Sequence, residues 1–238
     1  MRGRVPPRPV EEIAEAAARV FIAKGYREAG ISDVSTALGM SHGAVYTYAK
    51  SKEALLYLAL LRLARPDSLA GLEIPVAMPT AKDVVTAIDT GNELDGFTGL
   101  IEALGGRRRD VPVAEEFGVI IDELYGFIEQ NRALLALIER CARDLPELAQ
   151  FYFVRRRRAA FEKLGDYLRR RIRSGALRGV PDVPAAVRFI TETVAWFAWH
   201  RIGDPDSAML DDDACRRTVR HLLLTAFLAD PGAVQTSK

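Results

Sequence analysis

Histidine and cysteine are scarce in this chain of 238 residues, with three of the first and two of the second. His42, His200 and His221 lie far apart, and no His-Glu-x-x-His, Gly-x-Ser-x-Gly or phosphate-loop pattern occurs. The usual sequence grounds for a zinc hydrolase, a serine hydrolase or a nucleotide-hydrolysing enzyme are therefore missing. Cys141 and Cys215 stand alone, so two free thiols in a reducing cytoplasm are expected. No stretch approaches the roughly 18 apolar residues a membrane-spanning helix needs. The Arg- and Pro-rich start does not read as a signal peptide. Asp211, Asp212 and Asp213 suggest a metal site, but no matching acidic cluster recurs at helical spacing, and the start of a helix explains them better. No metal and no cofactor are expected. Convincing strand alternation and hairpin signals are also absent, which leaves an all-α chain.

Charge is present but uneven. The whole chain carries +1. Residues 1–65 hold ten Lys or Arg against six Asp or Glu, and the remainder holds twenty-three against twenty-six. A basic end on an otherwise near-neutral protein fits a surface that meets nucleic acid.

That basic end contains the segment ISDVSTALGMSHGAVYTYAKSKEAL, residues 31–55. A first short helix is expected over 32–38, with Ser32 as N-cap and Asp33 favourable to the helix dipole. Val34, Ala37 and Leu38 would face inward. Gly39 suits a left-handed C-terminal cap, Met40 plugs the corner, and Ser41 caps a second helix over 42–48. That second helix has few inward anchors: Val45 with Ala44 or Ala49. Gly43 in its first turn costs roughly 0.5–1 kcal/mol relative to Ala, which makes sense where a backbone approaches a base edge. His42 and Thr47 could hydrogen-bond bases, and Tyr46 and Tyr48 could reach phosphates or thymine methyls. The alternative is a small helical corner with two packed tyrosines. Ser51 caps a third helix through residue 63. Lys52 at its first position opposes the helix dipole unless a phosphate sits there; a solvated lysine is the alternative.

A preceding helix is expected over 10–24, with Ile13, Ala17, Val20 and Phe21 as its apolar stripe, Pro9 at its start and Gly25 at its end. Arg2, Arg4 and Arg8 form a short basic arm, for backbone contact or simply solvated. Two short helices around a three-residue turn, supported by a longer one, make a helix-turn-helix DNA reader.

These residues resemble the DNA-binding domain of the TetR family of transcription regulators. The matching elements are A-x-x-V-F-x-x-K-G-Y at 17–26, I-S-D-V-S-T-A-L-G-M-S at 31–41, G-A-V-Y-T-Y at 43–48 and S-K-E-A-L-L at 51–56. The resemblance implies base contacts by His42, Gly43, Ala44 and Thr47. It implies phosphate or groove-wall contacts by Tyr46, Tyr48 and Lys52, with Ser32 on a further phosphate. Ala49 departs from the family pattern, which often has an aromatic there. The small side chain leaves the three-helix core underfilled unless a neighbour leans in.

Beyond residue 64 the apolar period stays helical. A loop is expected over 66–80, helices over 82–92 and 97–104, a turn at 105–110, then long helices over 113–143, 146–174, 183–202 and 211–229. The helix from 183 has two apolar stripes. Val187, Ile190, Val194 and Phe197 form one; Phe189, Thr193, Trp196 and His200, with Trp199 beside them, form the other. A helix apolar on most sides is buried on most sides, so a homodimer built from the last two helices is expected, as in TetR-like proteins. Arg155 to Arg158 and Arg169 to Arg173 surround their helix and read as a solvated, ion-paired face, answering Asp204, Asp206 and Asp211 to Asp213. A ligand cavity is expected among the middle helices, lined by Phe117, Tyr125, Phe151, Tyr152, Trp196, Trp199 and His200, although each alone reads equally as core.

The resulting expectation is an all-α protein of about ten helices: a DNA-binding domain over 1–64, a ligand-binding and dimerisation domain over 65–230, and a polar tail over 231–238. It would act in the cytoplasm as a dimeric, ligand-responsive repressor on a palindromic DNA operator, released by a small apolar or aromatic effector. An activator or an architectural DNA-binding protein is the alternative, and a helical-bundle enzyme a distant one.

Overall fold

The computed structural model describes residues 8–89, 97–106 and 111–229, and Arg2, Arg4 and the tail from 231 lie outside them. Twelve α-helices occur among the described residues; β structure there is confined to the isolated bridges Ala49–Val76 and Leu177–Leu228. The chain forms two compact units, and the first is discontinuous: residues 1–91 with 133–155 form one, 92–132 with 156–238 the other. The first unit thus extends well beyond the segment that reads as a DNA-binding domain.

In the first unit, α1 (Val10–Lys24) begins after Pro9 with Glu11 and Glu12 in its first turn and ends at Gly25. Gly25 has φ 82°, a value that only glycine adopts without strain, and its N–H closes on the Phe21 carbonyl at 2.8 Å. Ile13, Ala14, Ala17 and Phe21 pack inward against α4 (Lys52–Ala64). The small alanines let the two helices approach closely. Helix α4 is apolar on most sides and buried accordingly, with Leu55, Leu56, Leu58 and Leu60 almost wholly enclosed. Ser51 caps it by accepting the Ala54 N–H at 3.2 Å. Arg62 grips Glu15 through two nitrogens, at 3.0 and 2.7 Å, and ties α4 to α1. Between them lie α2 (Ile31–Leu38) and α3 (His42–Val45). After α4 come a 3-10 turn (Pro66–Gly71), an extended stretch, and α5 (Ala81–Ile88), which Thr80 and Asp83 start with a reciprocal capping box. Most of α8 (Arg132–Ala142) and α9 (Pro146–Ala149) complete this core through Leu137, Ile138, Cys141 and Leu148.

The second unit holds α6 (Thr98–Leu104), α7 (Val113–Gln130), α10 (Arg158–Arg173), α11 (Val183–Ala198) and α12 (Asp212–Phe227). Helix α11 packs on α7, α10 and α12. Phe117 stacks on Tyr167 at 6.0 Å and meets Phe227 edge-on at 5.9 Å. Glu116, fully buried, accepts two hydrogen bonds from Arg171, at 2.8 and 2.6 Å. A buried charge is tolerated because its partner is a fork of donors.

Three long helices expected from periodicity are divided. The stretch 113–143 breaks at Asn131, whose side-chain amide donates to the Phe127 carbonyl at 2.8 Å and competes with the helix ladder. The stretch 146–174 opens into a π-helical segment, Gln150–Arg157, between α9 and α10. The stretch 183–202 ends as α-helix at Ala198 and turns into a 3-10 segment, His200–Gly203. Its last carbonyls are taken by cationic donors: Arg132 donates to Ala198 at 2.5 Å and Arg201 to Phe197 at 2.7 Å. Arg201 is almost fully buried and also reaches the Leu210 carbonyl and the Asp212 carboxylate. Asp212 therefore answers Arg201 and not the arginine runs, which find separate partners. Arg169 pairs with Asp166, Arg170 donates to the Ala103 and Leu104 carbonyls, and Arg155 lies over the Phe151 ring.

Candidate nucleic-acid interface

The N-cap of the first short helix lies two residues earlier than the sequence suggests: Gly30, not Ser32, precedes α2, and the Asp33 carboxylate accepts the Gly30 N–H at 2.8 Å. The Lys24 ammonium, 2.6 Å from the other Asp33 oxygen, and the Gly30 N–H hold that carboxyl below the usual range. Starting at Ile31 rotates the inward face. Val34, Ser35 and Leu38 are buried, and Ala37 is exposed. Buried Ser35 satisfies its hydroxyl on the Ser32 carbonyl at 2.8 Å. Gly39 takes the left-handed conformation, φ 63°, and Met40 N–H returns to the Ser35 carbonyl at 2.9 Å. Ser41 precedes α3 in an extended conformation but makes no side-chain cap.

Helix α3 is a single turn. After Val45 the chain continues as a tight turn rather than a helix to Tyr48, held by Thr47 N–H to Ala44 at 3.2 Å and Ala49 N–H to Val45 at 3.1 Å. Val45 and Ala49 are completely buried and anchor it. The gap expected beside Ala49 is closed from outside the three helices. Val76 pairs with residues 48–50, its N–H to the Tyr48 carbonyl at 2.8 Å and its carbonyl from Lys50 N–H at 2.9 Å, and its side chain is buried there.

This arrangement turns one set of side chains outward. Ser32, His42, Gly43, Tyr46 and Thr47 are exposed, and Ala44 is half-buried. His42 meets the Tyr46 ring edge-on at 5.4 Å, and the Thr47 hydroxyl donates to the Ala44 carbonyl at 2.7 Å, leaving its oxygen to accept. A Cβ added to Gly43 would meet nothing within 4 Å, and its φ is not left-handed. Neither packing nor backbone geometry requires glycine there.

Two candidates are placed differently. Tyr48 is buried, and its hydroxyl donates to the Arg8 carbonyl at 2.9 Å, so it fastens the start of α1 and does not share the outward face. Because α3 ends after Val45, a helical period carried on to Tyr48 misplaces it. Lys52 donates to the Arg27 carbonyl at 3.1 Å and stands 4.5 Å over the Tyr26 ring. Its conflict with the helix dipole is relieved by protein groups. Sequence reasoning passed over Lys50, which is exposed at the end of the same turn. Its visible signal was a cation immediately before the helix N-cap Ser51, since helix N-termini are places where phosphates are held.

The seven candidate ligand residues are divided between the two units. Phe151 and Tyr152 belong to the first unit, the other five to the second. Phe117 and Tyr125 are core, and burial raises the Tyr125 phenol above its usual range. Trp196 and His200 face outward, and Trp199 stacks on His200 at 4.2 Å. Among the described residues no cluster of metal-ligating side chains occurs, and no helix is long and apolar enough to cross a membrane.

Residues 13–57 match the family model of bacterial regulatory proteins, tetR family. The chain is 26% identical over 202 residues to the HTH-type transcriptional repressor KstR2 of Mycolicibacterium smegmatis, covering 83% of this chain and 82% of that protein. The structure of the ketosteroid transcriptional regulator KstR2 of Mycobacterium tuberculosis shares the fold, with a TM-score of 0.59 and 19% identity over 96% of this chain and 98% of that one. So does SmeT, solved in complex with triclosan, at 0.51 and 21% over 96% and 98%. The two KstR2 proteins are a transcriptional repressor and a transcriptional regulator. Over residues 13–57 the chain is thus similar to bacterial regulatory proteins of the tetR family, and over most of its length it shares the fold of the solved KstR2 structure.

Proposed function

We propose that this regulator is a dimeric repressor that binds a palindromic operator and releases it when a small apolar or aromatic effector binds. The observation that carries the DNA reading is the outward face of α3 and its following turn. Its groups are exposed and polar, and the fold has no need of Gly43 there. His42, Gly43, Ala44 and Thr47 would read base edges, and Ser32, Tyr46, Lys50 and Lys52 would position the domain on phosphates. The repressor sense follows the named activity of the M. smegmatis relative.

Self-association is supported by the second apolar stripe of α11. Val187, Ile190 and Val194 are core, whereas Phe189 is 57% exposed and Trp196 38%, and on α12 Leu222 is 58% exposed. An apolar patch of this kind marks an interaction surface. A second copy seated on α11 and α12 would present two α3 turns to successive major grooves, about 34–36 Å apart. The effector reading rests on the helical second unit and on SmeT, a protein of the same fold that holds triclosan. Gel shift against the DNA flanking its own gene tests the reading. Sequence-preferring binding that weakens steeply with salt is expected; salt-insensitive or absent binding would sink it.

A further inference from the structure

Outside the DNA-facing surface and the apolar face of α11 and α12, one concavity in the first unit has no part in that function. It is a cleft of about 180 Å³ between α4, α5 and α9. Leu56, Val84 and Leu148 give it apolar walls, and Met78, 67% exposed, stands at its rim. Its surface is almost wholly apolar, and Tyr26, Glu53 and Glu147 are the hydrogen-bonding or charged side chains among its lining residues. No lysine, arginine or histidine lines it.

The polar end is organised. The Tyr26 hydroxyl donates to Glu53 at 2.6 Å. That bond keeps the Glu53 carboxyl below its usual range, while burial and the same carboxylate keep the Tyr26 phenol protonated well above its own. Glu53 is thus a fixed anion at the cleft, and Glu147 at the mouth has no ion-pair partner among the described residues. An apolar hollow with a few polar residues in its wall is the form a small-molecule site takes. Its volume limits the occupant, since an apolar cavity of about 150 Å³ holds one benzene. Its charge selects the head group: a cation with N–H donors.

We propose that this cleft is a second ligand site, for a small apolar amine in its protonated form, of about the size of benzylamine. Its ring would lie against Leu56, Val84 and Leu148 and its ammonium between Glu53 and Glu147. Such a ligand also acts on the DNA reader. The ammonium competes with the Tyr26 hydroxyl for Glu53, and the Tyr26 ring carries Lys52, which in turn holds the Arg27 carbonyl. Binding would therefore shift Lys52 and the entry to α2. This second consequence rests on the DNA-binding function; the binding itself does not.

The test is a titration of the full chain, methyl-labelled, with benzylamine, benzyl alcohol and benzoate. The methyl signals of Leu56, Val84 and Leu148 should move with benzylamine in the millimolar range expected of so small a ligand. Affinity should be about tenfold lower for benzyl alcohol, which lacks the charge-assisted bond, and lowest for benzoate. Val84→Phe fills the cleft with apolar volume and should abolish the shifts, while Glu147→Gln should narrow the preference for the amine. Methyl signals that stay still, equal affinity for amine and alcohol, or shifts that survive Val84→Phe would each overturn the site. In gel shift, benzylamine should change the operator affinity of the parent chain and not of Val84→Phe; an unchanged parent would overturn the coupling. A chain that binds no DNA would sink the function and leave the methyl titration to decide the site.

Discussion

Among the described residues, the outward faces of α3 and of α11 with α12 are opposites. The outward face of α3 and its turn presents His42, Gly43 and Thr47, small or polar groups on a short segment anchored by Val45, Tyr48 and Ala49. The outward face of α11 and α12 presents Phe189, Trp196 and Leu222 on helices already secured by a full core stripe. A polar, thinly anchored face suits a hydrated, charged partner whose contacts are hydrogen bonds and phosphates. An apolar face on a rigid support suits a dry partner of matching shape. On the proposed reading, the fold would separate recognition of DNA from recognition of itself by the hydropathy of what it leaves outside.

The contrast breaks first at the apolar face. Trp196→Glu with Leu222→Arg should weaken self-association by at least about 100-fold. Sedimentation equilibrium should then report the 26.3 kDa single chain; a dimer that persists places the interface elsewhere. Next comes the polar face. Thr47→Ala should cost about 1–3 kcal/mol on the preferred operator and relax the preference at one base pair, whereas Lys50→Ala should weaken all sequences alike and reduce the salt slope by about one. Quantitative binding across a salt series separates the two. If Thr47→Ala behaves like Lys50→Ala, the turn positions the protein and does not read.

A smaller effect sharpens the comparison. Gly43→Ala should raise stability by roughly 0.5–1 kcal/mol, because the added methyl meets open space and the helix loses a flexible residue. Operator affinity should fall in the same variant. Denaturant melts that show destabilisation would mean the glycine serves the fold after all. A test confined to alkaline pH addresses the buried side of the first unit. Burial pushes the Cys141 thiol up to about 12 from 9.0. The unfolded chain then loses this proton before the folded one does. Its contribution is intact below pH 9 and declines as pH rises towards about 12. Cys141→Ala should flatten that part of the stability profile in urea titrations.

Elements governed by local chemistry were legible in advance. Ser51, Gly39 and Asp211 cap helices where their side chains and backbone freedom predict. Of the two stripes of α11, Val187, Ile190 and Val194 of the first are buried, whereas Phe189, Trp196 and His200 of the second are exposed. Elements governed by competition were not legible. Asn131 ends α7 by bonding its own helix, and Gly30 with Asp33 outbids Ser32 for the start of α2. Tyr48 turns inward because α3 stops short. The aromatic candidates for an effector site fall in two units, since residues 133–155 join the first unit and no local pattern announces that.

The amino-acid order alone determined the helical class, the helix-turn-helix and its outward His42, Gly43 and Thr47, because period, caps and turn residues act over a few positions. Tertiary structure decided what fills the space beside Ala49, where Val76 arrives through backbone pairing, and what holds Lys52, which rests on Tyr26 and Arg27. It also decided that Tyr26, Glu53 and Glu147 share one cleft. Those outcomes depend on which distant segments find room against each other, and close packing, not local preference, settles that.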